Sequence, residues 1–277
     1  MSTATIKLFL PFGDPRQLRT AELSNWSGKA LAAPRTDFDS LLQREELQKS
    51  GVYILTGTSP DTGKPLAYIG EAEILTDRLK AHKAKDFWVQ AYVFTSKDEN
   101  LTKGHIRYLE GRLIQDALKT GRFELANTQS SGAKLPESDR EDMEVFLEKI
   151  HQLLPVLGSD ILTPLTARIV GATQELTTTL KGLVAHGQRT AEGFVVFKDS
   201  QAVSELRRTA QPYTIKLREK LIADGTLVKE KDCLRFTKNT EFASPSAAAS
   251  VVHGGSANGL ILWKNSAGKD LKEIEGE

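Results

Sequence analysis

Apolar residues recur along the chain at two spacings, every second position in short runs and every third or fourth in longer ones, and the switches between them mark its elements. Residues 5–10 read as a strand, stopped by Pro11, Gly13 and Pro15. A second strand is expected at 26–33. Residues 37–48, with Phe38, Leu41, Leu42 and Leu47, have helical spacing and end near Gly51. Two β-rich runs, 51–56 and 66–70, flank a turn-rich loop over 59–65, which predicts a hairpin. A helix at 73–83 follows, then a third strand at 87–95 and a long helix at 100–118 with Gly121 just past its end. After a loop at 130–133, residues 140–154 form an amphipathic helix closed by Pro155.

From 157 to 193 the pattern breaks and threonine becomes dense, as at Thr177, Thr178 and Thr179. This stretch reads as a connection between two domains. Beyond it come a strand at 193–198, a helix at 213–223 ending at Asp224 and Gly225, and a strand pair near 226–228 and 234–237. Residues 244–254 form a short helix in which Ser244 is the cap, Pro245 suits the first turn and Gly254 is the stop. The expected fold class is α+β: a small antiparallel sheet flanked by helices, then a second small α+β domain. The expected boundaries are an extension over 1–50 packing on a domain at 51–156, a linker at 157–190 and a C-terminal module at 191–277.

The 277 residues are 39% hydrophobic and 26% charged, the balance of a soluble globular protein. No run approaches the roughly 18 apolar residues of a membrane span, and the first ten residues lack the cationic start of a secretory signal. Cys233 is the single cysteine, which excludes intramolecular disulfides and multi-cysteine zinc sites, and a reducing cytoplasm is the expected compartment. Lys and Arg number 37 against 36 Asp and Glu, so the whole chain is no obvious polyanion binder. The charge is uneven, however. Residues 78–122 carry ten Lys/Arg and five Asp/Glu, a local excess of five positive charges.

On the long helix, Ile106, Leu109, Leu113, Ile114 and Ala117 cluster on one face at 100° per residue, with Glu110 near its middle. A carboxylate there needs a cation or hydrogen-bond donors, because burying it bare costs several kcal/mol. It is either a stripe-edge carboxylate paired with an Arg, or a metal ligand or acid–base group. On the preceding helix Arg78 and His82 are spaced i,i+4 and can act on one ligand, suggesting with Glu110 an anion or metal site. The hairpin contributes Tyr53 and Tyr68, a pair that on strands most often serves packing.

Gly51, Val52 and Tyr53, then about a dozen residues of hairpin, then Tyr68, Ile69 and Gly70 resemble the paired signature of the GIY-YIG nuclease family, with Val for Ile in the first triplet. The order of the remaining landmarks strengthens the resemblance: Arg78 on a helix, His82 four residues on, Glu110 in a second helix, Asn127 after it. The Glu-to-Asn gap is somewhat longer than the family pattern. The resemblance spans about residues 51–127 and implies a divalent-metal-dependent endonuclease acting on DNA phosphodiester bonds. In that reading Glu110 holds Mg²⁺ or Mn²⁺, and Arg78 faces the phosphate. Tyr53, Tyr68 and His82 organise the attacking water, a tyrosine hydroxyl taking its proton with His82 as relay, and Asn127 orients the site. The alternative is a catalytically inactive DNA-binding accessory protein with the same fold. RNA cleavage is a third reading, since nothing in the residues reads sugar identity.

Residues 242–259, with Trp263 and Lys264 after them, are similar to a module of unknown function found after such nuclease domains and in restriction and adenine-methylase proteins. That context implies DNA as partner, with no membrane, and either a homodimer or partner proteins of a defence or repair system. The capped helix at 244–254, flanked by Lys238, Trp263 and Lys264, is the expected DNA contact of this module.

Overall fold

The computed structural model describes residues 3–128, 132–164, 175–190 and 193–276. The chain is α+β and divides into two compact units, Met1–Pro164 and Leu165–Glu277. No helix among the described residues is long and apolar enough to cross a membrane.

The first unit carries strands β1 (Ile6–Phe9), β2 (Arg19–Leu23) and β3 (Gly28–Pro34), a 3-10 turn at Arg35–Asp37, helix α1 (Phe38–Leu42) and a second 3-10 turn at Glu45–Gln48. Next come β4 (Gly51–Thr58), β5 (Pro65–Ala72), α2 (Leu75–Lys80), β6 (Trp88–Ser96), α3 (Lys103–Thr120), β7 (Glu124–Leu125) and α4 (Glu137–Val156). Seven strands form one sheet in the order β1-β2-β3-β6-β4-β5-β7, antiparallel except for the parallel β5–β7 pair at its edge.

The expected extension packs on the rest of the unit by joining its sheet, since β3 pairs with β6 along its whole length. Alternation on the strands gives the sheet two apolar faces. Val52, Ile54, Ala67 and Ile69 pack against Ile106, Leu109 and Leu113 of α3 and Phe146 and Ile150 of α4. Tyr53, Leu55 and Val93 point the other way, onto Phe38 and Leu41 of α1, Leu47, and Leu75 and Leu79 of α2. The helix expected at 37–48 is broken into α1 and a 3-10 turn at Glu45–Gln48. The strand at Arg19–Leu23 carries polar residues that hid its alternation. Pro155 lies inside the last turn of α4 rather than closing it.

The second unit contains β8 (Leu176–Leu180), β9 (Leu183–Arg189), β10 (Phe194–Val196), β11 (Gln201–Val203), α5 (Pro212–Ala223), β12 (Leu227–Glu230), β13 (Cys233–Phe236), β14 (Thr240–Phe242), α6 (Pro245–His253), α7 (Gly259–Leu262) and α8 (Leu271–Glu275). Its strands make a four-stranded sheet, β14-β10-β9-β8, and a three-stranded one, β11-β13-β12, around Phe194, Phe236, Phe242 and Trp263. The linker expected at 157–190 is thus corrected at both ends. Leu157, Ile161 and Leu162 finish the first core, and the threonines at 177–179 belong to a hairpin strand of the second unit. Thr178 is buried and Thr179 exposed, an alternation that β-branched polar residues conceal. Residues 165–174 and the expected loop positions Ser130 and Ser131 lie outside the described residues.

One buried charge ties the N-terminal strands to the rest. Glu46 is only 4% exposed and lies 2.7 Å from Lys29 of β3 and 2.7 Å from Arg44. Burial alone would raise its carboxyl, but hydrogen bonds from Arg44 and Lys29 outweigh that and hold it down at about 2. A folded value below the unfolded 4.5 stabilises the fold above pH 4.5, and the benefit fades as pH falls towards 2. Glu46→Gln is expected to cost on the order of 3 kcal/mol at neutral pH. Denaturant unfolding across a pH series would show the gap from wild type closing between pH 4.5 and 2.

Candidate active site

The register of β4 on β5 sets Tyr53 opposite Gly70 and Leu55 opposite Tyr68. Tyr53 is fully buried, and its ring lies across Gly70, where a Cβ would fall inside van der Waals contact with the phenol. A glycine there lets the hydroxyl pass over the strand and reach His82 Nε2 at 2.8 Å. Gly51 answers the same need on β4, since a Cβ would strike the carbonyl oxygen of Phe94. Tyr68, diagonal to Tyr53, stacks on it at 6.1 Å between ring centroids and 20° between planes.

His82 is not on a helix with Arg78, as the spacing suggested. The helix stops at Lys80, and His82 sits in the following turn, its N–H bonded to the Leu79 carbonyl. Its own carbonyl accepts the indole N–H of Trp88 at 2.9 Å. Arg35 donates to the carbonyls of Lys83, Lys85 and Trp88 and lies 4.5 Å over the Trp88 ring, so the turn is fastened from outside.

Two cations frame Tyr68. Arg78 Nη2 donates to its hydroxyl oxygen at 3.4 Å, and Lys85 Nζ stands 4.6 Å from its ring centroid. Arg78 also lines a cavity of about 550 Å³ together with Glu71, Glu73, Asp77 and Glu110. The helices bearing Arg78 and Glu110 pack on opposite faces of the sheet. Their side chains meet at the end of β5, where the chain turns into α2. Strand alternation places Glu71 on the Ile69 side, towards α3.

The electrostatics separate the roles. Burial raises the Glu110 carboxyl first, the neighbouring Glu71 charge raises it further, and Arg78 and Arg107 pull it back. Glu110 accepts no hydrogen bond among the described residues, unlike the Arg-paired stripe-edge carboxylate that was one reading of its position. Burial, then the charges of Lys85 and Arg78, hold His82 down at about 4, so the ring is neutral at physiological pH. Its Nδ1 is buried without a partner. Burial, then Tyr68, push the Tyr53 phenol up. A buried histidine that resists protonation beside a phenol that resists ionisation makes a poor proton relay. Their shared hydrogen bond instead anchors the aromatic cluster.

Four of the six expected residues, Tyr53, Tyr68, Arg78 and His82, are therefore in mutual contact, and Glu110 joins Arg78 across the cavity. Asn127 does not line that cavity. Its amide accepts from Ile69 N at 3.1 Å and donates to Ile69 O at 2.7 Å, gripping β5 between Tyr68 and Gly70. Sequence reasoning missed Glu71 and Lys85. The first directly follows the second triplet, and the second belongs to the local charge excess. Among the described residues no group of three or more His, Cys, Asp or Glu is arranged to hold a metal.

A carboxyl whose folded value lies above its unfolded one binds its proton more tightly in the folded state, so its ionisation at neutral pH opposes folding. Glu110→Gln is expected to raise the Tm of the first unit at neutral pH. Calorimetry should find the gain absent below pH 4.5, where the wild-type carboxyl is protonated in both states.

Residues 176–275 match the family model described as a domain of unknown function (DUF4357). No GIY-YIG family model matches the first unit. No curated protein and no solved structure matches the chain significantly. The match lies wholly within the second unit.

Proposed function

We propose that the first unit is a divalent-metal-dependent endonuclease that hydrolyses DNA phosphodiester bonds at the rim of β5. The observation that carries this reading is the meeting of Arg78 and Glu110 in one cavity beside the exposed hydroxyl of Tyr68. Hydrolysis of a phosphodiester needs a positioned water, a fixed cation at the phosphate and relief of charge on the departing oxygen.

The donor set suits a hard cation. Burial and then the neighbouring Glu71 charge raise the Glu110 carboxyl, and an Mg²⁺ or Mn²⁺ ion takes oxygen ligands while keeping several waters. Glu110 and Glu71 would hold such an ion, which would supply charge neutralisation at the phosphate and the leaving oxygen. Arg78 presents a planar fork to the non-bridging oxygens. Tyr68, whose oxygen already accepts from Arg78, orients the attacking water. Tyr53 and His82 hold the Tyr68 ring in place, and Asn127 fixes the backbone beneath it. A reducing, cytoplasmic setting suits the buried free thiol of Cys233.

A supercoiled plasmid assay with Mg²⁺ or EDTA tests the reading, with an RNA substrate beside it. Wild type should nick DNA only with the metal, and Glu110→Gln should be inert while still binding DNA. Arg78→Ala should lose on the order of 10²–10³ in rate, as for one preorganised transition-state charge. Tyr68→Phe should lose about 10² in rate, whereas Tyr53→Phe should chiefly lower the Tm. Undiminished cutting in EDTA, or by Glu110→Gln, would place the chemistry elsewhere. Binding without any cutting would favour an accessory role.

A further inference from the structure

The second unit holds a cavity of about 740 Å³, the size of a small-ligand pocket, that plays no part in the site above. Its wall carries Lys181, Arg207, Lys229 and Lys231 against two carboxylates, Glu205 and Asp232. None of the four cations joins an ion pair among the described residues. By contrast Arg235 of this unit sits 2.7 Å from Glu230, and Arg189 sits 3.1 Å from Glu275.

Two features show that the fold holds these charges in place. The hairpin β8–β9 turns through Lys181 and Gly182, and the hairpin β12–β13 turns through Lys231 and Asp232. Both lysines have positive φ, 52° and 44°, in positions where such turns favour Gly or Asn. Two separate tight turns thus carry a cation where backbone geometry prefers none, and both face one cavity. The segment bearing Arg207 is fixed from behind by Arg218. That buried guanidinium, without a carboxylate, donates to the carbonyls of Val203, Ser204 and Val251.

The helix first expected to contact DNA is otherwise engaged. Ser244 caps α6 through the Ala247 N–H, and Gly259 packs against Pro245 while donating to Ser246. Trp263 is fully buried, with its indole N–H on the Pro245 carbonyl, so it stacks on no base.

We infer that the cavity between the two hairpin tips binds a nucleotide phosphate, through Lys181, Lys229 and Lys231 with Arg207 opposite. Leu180, Leu183 and Leu206 give it apolar wall on which the rest of a nucleotide can rest. The ligand chemistry is the same whether the nucleotide is free or part of a strand. The inference stands apart from the proposed nuclease chemistry and uses none of its residues.

The test is an NMR titration of the ¹⁵N-labelled full chain in EDTA, with thymidine monophosphate, a short oligothymidylate and polyglutamate as probes. The amides of Lys181, Gly182, Arg207, Lys231 and Asp232 are expected to shift saturably with nucleotide probes and not with polyglutamate. Shifts with the monophosphate identify a free-nucleotide site, and shifts with the oligonucleotide alone identify a strand site. The double variant Lys181→Gly, Lys231→Gly removes two charges and gives both turns a residue suited to positive φ. It should keep or raise the Tm while weakening binding at these amides about tenfold. For the oligonucleotide, the logarithmic salt slope should fall by roughly one to two. No shift with either nucleotide probe, equal shifts with polyglutamate, or an unchanged titration in the folded variant would overturn the inference.

Discussion

The contact of the Tyr53 ring with the bare backbone of Gly70 is the constraint from which the rest of the candidate site follows. It exists because the β4–β5 register pairs these two residues. A one-residue slip of β5 would send Tyr68 to the α3 face, away from Tyr53, and would turn Ala67 and Ile69 out of the α3 core. With the register fixed, the phenol has one way across β5, and at the end of it stands the imidazole of His82. The turn beyond α2 is therefore located by a strand residue almost thirty positions earlier in the chain. Arg78 and Lys85, on either side of that histidine, inherit their places around Tyr68 from it.

The second organising fact is that the cavity lies at the rim of the sheet rather than on a face. Arg78 comes from the Tyr53 layer and Glu110 from the α3 layer. A site assembled this way draws a cation and a carboxylate from two cores that share only the sheet between them. It also leaves Glu110 half in water, close to Glu71 and without a hydrogen-bond donor, a costly state that proteins keep chiefly where a charge has work to do.

Much of this was legible in the chain. The β4–β5 hairpin, the long α3 with its Gly121 stop and the capped α6 were readable because periodicity, caps and turn residues agree at each. The aromatic and charged residues of the site were readable from their order. What escaped did so for physical reasons. The threonines at 177–179 look polar by composition but alternate by burial, so a strand passed for a linker. Trp263 looked like a surface aromatic near basic residues, yet its indole N–H finds a carbonyl inside the core. Glu71 and Glu110 are far apart in sequence and meet because β5 turns Glu71 towards α3. The four cations of the second cavity come from three segments of the chain, and no local charge count reveals their convergence.

The short β7 and the Asn127 amide have one more consequence. A strand near the margin of a sheet exposes backbone donors and acceptors that invite pairing with any extended chain. On β5 that row is filled, first by two residues of parallel pairing at Leu66 and Ala67, then by the Ala126 N–H, and last by a side chain that gives Ile69 both a donor and an acceptor. The amide of Asn127 thus acts as one more residue of strand. It closes the ladder beside Tyr68 without adding backbone there, so the rim is sealed against a foreign strand while its side chains stay open to a ligand.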